Sequence, residues 1–393
     1  MARIFKNDRS KIKMKVLLIY PYRSQHNLVR NFAARVRKNG IELDYLCIDD
    51  YAYDNYTGIK WPLWLTFCCW VYPQIKVFIQ RHIYPRLLRP LVVEKLFNFI
   101  GQYDFIDFHG YISTYNSLMK ICKKKDIQFD ITLWGSDILR ANEEDFHLKQ
   151  YGFLNCRYVK GTENLLQNLR KRGGTVYDSK MRLVYFGNSD FDAIDSLTEE
   201  RMSELKQQMY GNISGKLIMI CGYNGISHQN HEKIIDAIAS VKDDIKDKVH
   251  LVFPLTYGAC PEYVQNIRKK LERLGMSYTM LTRYLSTEEM ATLRKSANIV
   301  VNIQSTDALA GSLQDHLYCG NICIIGEWLN YIIYDRNGVH YIKTSIEKLA
   351  DNMRYYVNNY VEEQTKCKHN KEILHNLLSW ESNINNWIKI YGE

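Results

Sequence analysis

Two carboxylates with seven residues between them, Asp307 and Asp315, bracket Gly311 and Ser312 and precede Gly320 in the stretch STDALAGSLQDHLYCGNICIIG. An apolar, β-branched run, NIVVNIQ, comes just before, so the pair spans a strand-to-helix turn. A helix opening near Gly311 would turn its first amides and positive dipole end toward the strand end, a seat for a diphosphate. A carboxylate before that turn can accept from sugar hydroxyls, and one in the first helical turns can accept from ribose hydroxyls. On spacing alone, the stronger reading is Asp307 as a helix cap and Asp315 as a solvated helix residue, and the surrounding strand and glycines shift it.

Other candidates stand at other strand ends. In GYNGISHQNHEK (222–233), His228, Asn230 and His231 lie near a helix start, where they donate to phosphate oxygens or simply cap the helix. Tyr257 closes the run VFPLTYG beside Gly258, as a ligand contact or as a core aromatic. Arg283, after YTML, is a phosphate clamp or a loop cation. In the first half, His109 ends YDFIDFH and Asp137 follows TLWG. A histidine there suits a general base near neutral pH, and an aspartate does so if its pKa is raised. The alternatives are a structural hydrogen bond for His109 and a helix N-cap for Asp137. Arg23 and His26, after the first strand, are candidates for an acceptor phosphate.

The elements that must position these residues alternate. VLLIY (16–20), the helical pattern NLVRNFAARVRKNG and LDYLCID make a β-α-β opening, hence a parallel sheet covered by helices. Further strands are expected at 103–109, 129–135, 156–161 and 182–187, then a polar helix at 196–209 and the turn cluster GNISG. The alternation restarts with KLIMICGY and runs through VHLVFPLTYG and SYTMLTRY to NIVVNIQ. The expected fold class is therefore α/β, two Rossmann-like domains facing across a cleft lined by strand carboxyl ends. The first domain is placed at 1–195, the second at 210–370, and 371–393 is a C-terminal helix returning to the first.

Size and composition agree with two cores: 393 residues, 46% hydrophobic and 24% charged. Ten cysteines without CxxC spacing read as reduced, buried thiols of a cytosolic protein, and no metal site is expected. The net charge of +9 belongs to one end: residues 1–100 carry 17 Lys and Arg against 7 Asp and Glu, the remainder 35 against 36. Such an end favours an anionic membrane surface or a phosphate-bearing acceptor, and no nucleic-acid-binding motif accompanies it. The basic start runs into VLLIY, too short for a secretory segment and without a cleavage site. Residues 57–100 set Trp61, Trp64, Phe67 and Trp70 beside Lys60, Lys76, Arg81, Arg86 and Arg89, interrupted by prolines. That composition fits a segment lying in the headgroup layer, or else a helical insertion packed on the first sheet; it is too short to span.

Taken together, these residues resemble the family 4 retaining glycosyltransferases, whose fold is called GT-B. There a Glu, seven residues and a second Glu precede an Ala-x-Gly-x-Pro turn and a strand; here Asp307 and Asp315 hold those places before Tyr318, Cys319 and Gly320. Both acids are one carbon shorter and the Pro is missing. Trp134-Gly135-Ser136-Asp137, LVYFGNSDFD and Ser379-Trp380-Glu381 fall in the family's order. The second-domain opening lacks the family's Arg and Lys and is similar to transferases placing 4-acetamido-4,6-dideoxygalactose on lipid-linked intermediates. The resemblance implies a nucleotide-sugar donor held by the second domain and a saccharide acceptor, lipid-linked, at the cytoplasmic face of the plasma membrane. It implies no cofactor beyond the substrate. Retention and inversion both stay open. A sugar-nucleotide epimerase or hydrolase, and a non-catalytic nucleotide-sugar-binding protein, are the competing readings.

Overall fold

The computed structural model describes residues 14–22, 25–48, 99–213 and 215–393. Arg23 and residues 57–98, which include every aromatic and basic side chain named above for the membrane segment, lie outside the described residues.

The described chain builds two six-stranded sheets. The first contains β1 (Lys15–Tyr20), β2 (Glu42–Cys47), β3 (Phe105–His109), β4 (Gln128–Thr132), β5 (Val159–Gly161) and β6 (Met181–Leu183), in the order β2-β1-β3-β4-β5-β6. The second contains β7 (Leu217–Cys221), β8 (Val249–Pro254), β9 (Tyr278–Leu281), β10 (Ile299–Asn302), β11 (Ile322–Gly326) and β12 (Ile342–Thr344), in the order β12-β11-β10-β7-β8-β9. Every pairing is parallel. Parallel strands need helical crossovers that cover both faces, which is why runs such as Val16–Tyr20 are apolar without alternation and fully buried. In the second sheet successive residues feed two cores: Ile218, Ile220 and Val300 pack with Leu313 and Leu317, while Met219, Cys221 and Val301 pack with Ile234 and Ile238.

Two compact units result. One comprises the chain to Gly161, Leu165–Val184 and Asn386–Glu393; the other comprises Thr162–Asn164 and Tyr185–Asn385. The boundary expected at 195–210 thus falls at 184. The polar helix expected at 196–209, observed at Glu199–Tyr210, and the short helix Asp190–Ser196 belong to the second unit, where Phe191 stacks on Tyr318 with centroids 3.9 Å apart. Gly211–Ile213 and Gly215, the described residues of GNISG, lie between that helix and β7 inside that unit. The terminal helix is two, Asn370–Leu378 and Trp380–Gly392, broken at extended Ser379, and its last residues join the first unit.

The eight described cysteines are all free and six are buried, where burial pushes the Cys122 and Cys156 thiols up to about 12. No helix among the described residues is long and apolar enough to cross a membrane.

Candidate functional site

In the second sheet the chain starts in the middle at β7, steps outward through β8 and β9, then returns to the other side of β7 at β10. The strand order therefore reverses between β7 and β10. At such a reversal the two following loops diverge to opposite faces and leave a crevice at the strand carboxyl ends, where ligands of open parallel sheets sit. The two loops are 222–230 and 303–310.

They are tied into one polar floor. Gln304, one residue past Ile303, accepts on its side-chain oxygen from Tyr223 Oη at 2.9 Å and Gln229 Nε2 at 3.0 Å, and on its carbonyl from Trp328 Nε1 at 2.8 Å. The Tyr223 amide donates to Gln229 Oε1 at 3.1 Å. Asn230 Nδ2 donates to the Ile303 carbonyl at 2.7 Å, and the Ser305 amide donates to the His228 carbonyl at 2.9 Å. Asn230 is left-handed, with φ 59°, a conformation that asparagine tolerates better than most residues. Among the described residues, the side-chain amide of Asn302 and the Nε2 of Gln304 are buried without a hydrogen-bond partner, as is Ser312 Oγ at the helix start. Buried polar atoms of this kind are satisfied in a native protein by water or ligand.

Asp307 is bound up in its own loop. Its carboxylate accepts from the amides of Ala308 at 2.8 Å and Ala310 at 3.1 Å, and from the Tyr331 hydroxyl. Burial raises its pKa, with Tyr331 and the amides opposing. Between those amides Leu309 is held at φ 98°, a region that costs a non-glycine residue about 1–3 kcal/mol. The helix Gly311–Tyr318 starts directly after, as expected, and Gly311 faces open space. The sequence offers Asp307 as a ligand or a cap, and here it braces a strained turn that presents a helix start. Replacing Asp307 with Ala should cost about 1–3 kcal/mol by orphaning those amides, read as a lowered Tm, and should weaken anion binding at the helix start.

Asp315 lies 1% exposed in that helix, with Oδ2 3.3 Å from Arg294 Nε and Oδ1 2.7 Å from Asn188 Nδ2. Arg294 Nη1 also reaches His316 Nε2 at 2.9 Å. The ribose-contacting place implied by the resemblance is therefore filled here by an internal ion pair.

The expected phosphate donors divide. His228 is exposed at the crevice, but His231 is fully buried, its Nδ1 is 3.1 Å from Tyr263 Oη, and burial pulls its pKa down to about 4, so it is neutral. Gly222, at φ +71°, leaves room for it, since a Cβ there would lie 2.6 Å from His231 Nε2. Arg283 is engaged by the Glu289 carboxylate and donates to the Tyr284 carbonyl at 3.1 Å. It acts as a loop brace in this structure rather than as an open clamp.

In the first unit the strand order reverses between β1 and β3. His26 opens the helix His26–Lys38 after β1, with Nδ1 2.7 Å from Tyr20 Oη. His109 closes β3 but is 1% exposed, with Trp134, Phe32 and Trp387 rings around it and Nε2 3.1 Å from Asp107 Oδ2. Burial lowers its pKa, and Asp107 only partly opposes. Asp137, 4% exposed, accepts from the amides of Trp134, Gly135 and Tyr111 at 3.0, 2.7 and 3.1 Å, fastening two loops together. Burial raises its pKa. Neither side chain opens to solvent as a base at the strand ends would.

Beneath them lies a cluster that pattern reading misses. Lys160 Nζ sits 2.6 Å from Asp107 Oδ2 and 3.2 Å from Asp130 Oδ2, all three with no exposure. Tyr391 Oη donates to Asp107 at 2.5 Å, and Arg157 pairs with Asp130 at 3.1 Å. A signal did exist: Asp107 and Asp130 interrupt apolar strands at positions that share a face with His109 and Thr132.

Comparison with solved structures bears on the whole chain. HepE of Anabaena, crystallised with UDP and glucose, superposes with a TM-score of 0.71 over 97% of this chain and 100% of that one, at 12% identity. The fold is GT-B. Sucrose-phosphate synthase of Thermosynechococcus elongatus matches at a TM-score of 0.68 and 14% identity, over 96% of this chain and 98% of that one. Trehalose 6-phosphate synthase of Burkholderia multivorans matches at 0.67 and 9%, over 96% and 95%. No family model matches the chain, and no curated protein matches it in sequence. GT-B proteins thus share with this chain an architecture maintained by different residues.

Proposed function

We propose that the chain is a glycosyltransferase that binds a nucleotide-sugar donor at the β7/β10 reversal of its second unit and transfers the sugar to a saccharide acceptor. One observation carries the reading: a polar floor with unpartnered buried amides and a helix start, placed at the strand-order reversal of a GT-B fold. HepE, of the same fold, is crystallised with UDP-glucose as well as with UDP, which favours a uridine nucleotide as the first donor to try.

In this reading the helix start at Gly311, with Ser312, and the exposed His228 neutralise the diphosphate, so no metal is needed. Asp307 holds the turn against the transferred sugar. His109 and Asp137 shape the loops of the acceptor-binding unit. The acceptor is a lipid-linked saccharide of surface glycan assembly, and the basic, aromatic segment 57–100 brings the protein to the inner face of the plasma membrane.

The test is a thermal-shift screen of nucleotide sugars, then mass spectrometry of product on a polyprenyl-linked saccharide. A rise in Tm with one donor and a mass gain of one sugar on the acceptor are expected. Conversion of the donor with no acceptor present would instead mean an epimerase or hydrolase. Binding without turnover on any acceptor would mean a binding protein.

A further inference from the structure

Side chains around the crevice are tied to neighbouring loops. Tyr257, 43% exposed in the loop after β8, accepts on its hydroxyl from Asn224 Nδ2 at 3.3 Å. Gln314, the fourth residue of the helix Gly311–Tyr318 and 7% exposed, instead reaches back to the turn in front of its own helix. Its Nε2 donates to the Leu309 carbonyl at 2.9 Å. That carbonyl lies ahead of the helix, and among the described residues no backbone amide donates to it.

Leu309 needs such a partner. Its φ of 98° is unfavourable for a residue with a side chain, and it is only partly buried, so packing alone does not fix it. The peptide that joins Leu309 to Ala310 is pinned at both ends: Asp307 accepts from its N–H, and Gln314 donates to its C=O. Asp307 also accepts from the Ala308 amide, on the other side of the leucine. Strained backbone persists where its surroundings over-determine it in this way.

Gln314 is held in turn. Asn188 Nδ2 donates to Gln314 Oε1 at 3.2 Å and to Asp315 Oδ1 at 2.7 Å, while Asn188 Oδ1 accepts from the Asp190 amide at 2.9 Å. A backbone carbonyl only accepts and a backbone N–H only donates, so each of the two side-chain amides has one orientation that satisfies its neighbours. Asn188 lies just past Tyr185, where the chain enters the second unit. Its own amide donates to the Leu378 carbonyl at 2.7 Å, and Trp380 Nε1 donates to Ser189 Oγ at 2.9 Å. Gly187 sits against the Trp380 ring, where a Cβ would lie 2.4 Å from Cγ. Gln314 thus draws its support from an anchored residue 126 positions earlier in the chain.

We propose that Gln314, steadied by Asn188, is a positioning residue for the diphosphate: it keeps the Leu309 turn in the strained form that presents the helix start. This role rests on the donor reading above and adds what sets the turn before a donor arrives. A site already in its binding form spends no binding free energy on rearrangement. Gln314 acts through the Leu309 backbone and need not touch the ligand, which gives the role a signature. Glycine takes up positive φ without strain, so with Gly at position 309 the turn keeps its form without Gln314.

The experiment is a double-mutant cycle on the full chain, read by calorimetric binding of UDP, with dTDP, GDP and ADP as further probes. Gln314→Met should weaken the best nucleotide roughly tenfold, the effect of losing one buried hydrogen bond. Leu309→Gly should bind it as wild type does, and Leu309→Gly with Gln314→Met should bind it as Leu309→Gly alone does. Gln314→Glu keeps the acceptor for Asn188 and removes only the donor to Leu309, so it repeats the cycle should Gln314→Met not fold. The same factor lost in both backgrounds overturns the role, because Gln314 would then act without regard to the Leu309 backbone. So does a folded Gln314 variant with wild-type affinity. Leu309→Gly that folds but no longer binds overturns it too, since the leucine side chain would then be what the donor needs. All three leave the donor reading standing, whereas wild type that binds no nucleoside diphosphate overturns both.

Discussion

Replacing Lys160 with Met is expected to destabilise the first unit by about 3–5 kcal/mol, the usual cost of removing one partner from a buried charge cluster. The lysine has no exposed surface and lies between the carboxylates of Asp107 and Asp130, with the Tyr391 ring 4.6 Å away. Burial alone would push Asp107 up, but Lys160 and His109 more than reverse it and hold its carboxyl well below the usual range. In wild type, then, Asp107 contributes stability that is present above its unfolded pKa and is lost as the pH falls through the folded value. In Lys160→Met burial is opposed only by His109 and by the hydroxyls of Tyr391 and Thr132, and Asp107 shifts upward. The stability it contributes above its unfolded pKa should shrink accordingly. Asp130 keeps Arg157 and suffers less. Because Tyr391 donates to the same carboxylate, the loss should also loosen Asn386–Glu393 from the first unit. Hydrogen exchange at the amides of β3, β4 and β5 reads this unit separately, which matters because two units need not unfold together. Protection should drop there, and Lys160→Met with Asp107→Asn should recover part of it; unchanged protection in the single variant would show that the lysine is not required.

Asp315→Ala should cost the second unit about 1–3 kcal/mol, by taking away the acceptor of Arg294 Nε and Asn188 Nδ2 in a buried site, while Asp190 stays near the guanidinium. Asp315→Asn should cost less, because the carboxyl is largely protonated in mild acid already. Burial pushes Asp315 up to about 7 even with Arg294 opposing it, and Asp190, also raised by burial, adds its charge. Two carboxylates near one guanidinium leave one negative charge unbalanced, so a proton is retained. The sign follows. Asp315 holds a proton in the folded state that the unfolded chain releases near pH 4. Its contribution is therefore full below about pH 4 and is lost as pH rises through about 7. Thermal unfolding between pH 5 and 8 should show that slope in wild type and a flatter one in Asp315→Asn. An equal slope in both would refute the raised pKa.

Much of the architecture was legible along the chain. Residues 16–20, 218–221 and 299–302 are buried on both sides and so cannot hide their strand character behind alternation. The helix opening at Gly311 was legible as well, since Asp307 and the glycine punctuate the chain locally. The unit boundary was not. GNISG looks like a linker, yet a turn between a helix and a strand uses the same residues, and only the packing of Phe191 on Tyr318 assigns the preceding helices.

The site divides in the same way. Residue type and spacing picked out Asp307, Asp315, His231, His109 and Asp137 as groups able to do chemistry, and those properties are local. Burial and partners are not local. They made Asp315 an ion-pair member, His231 a neutral packed ring, Asp137 a loop fastener and Arg283 the brace of Tyr284. They also joined Gln304 to Tyr223 and Gln229, although glutamine carries no motif. What the sequence determined by itself was the alternation of elements and hence two parallel sheets, because hydrophobic period and turn chemistry act over a few residues. What only the tertiary structure decided was which polar groups face one another, because partners such as Asp107 and Tyr391 stand far apart in the chain, and only folding brings them to 2.5 Å.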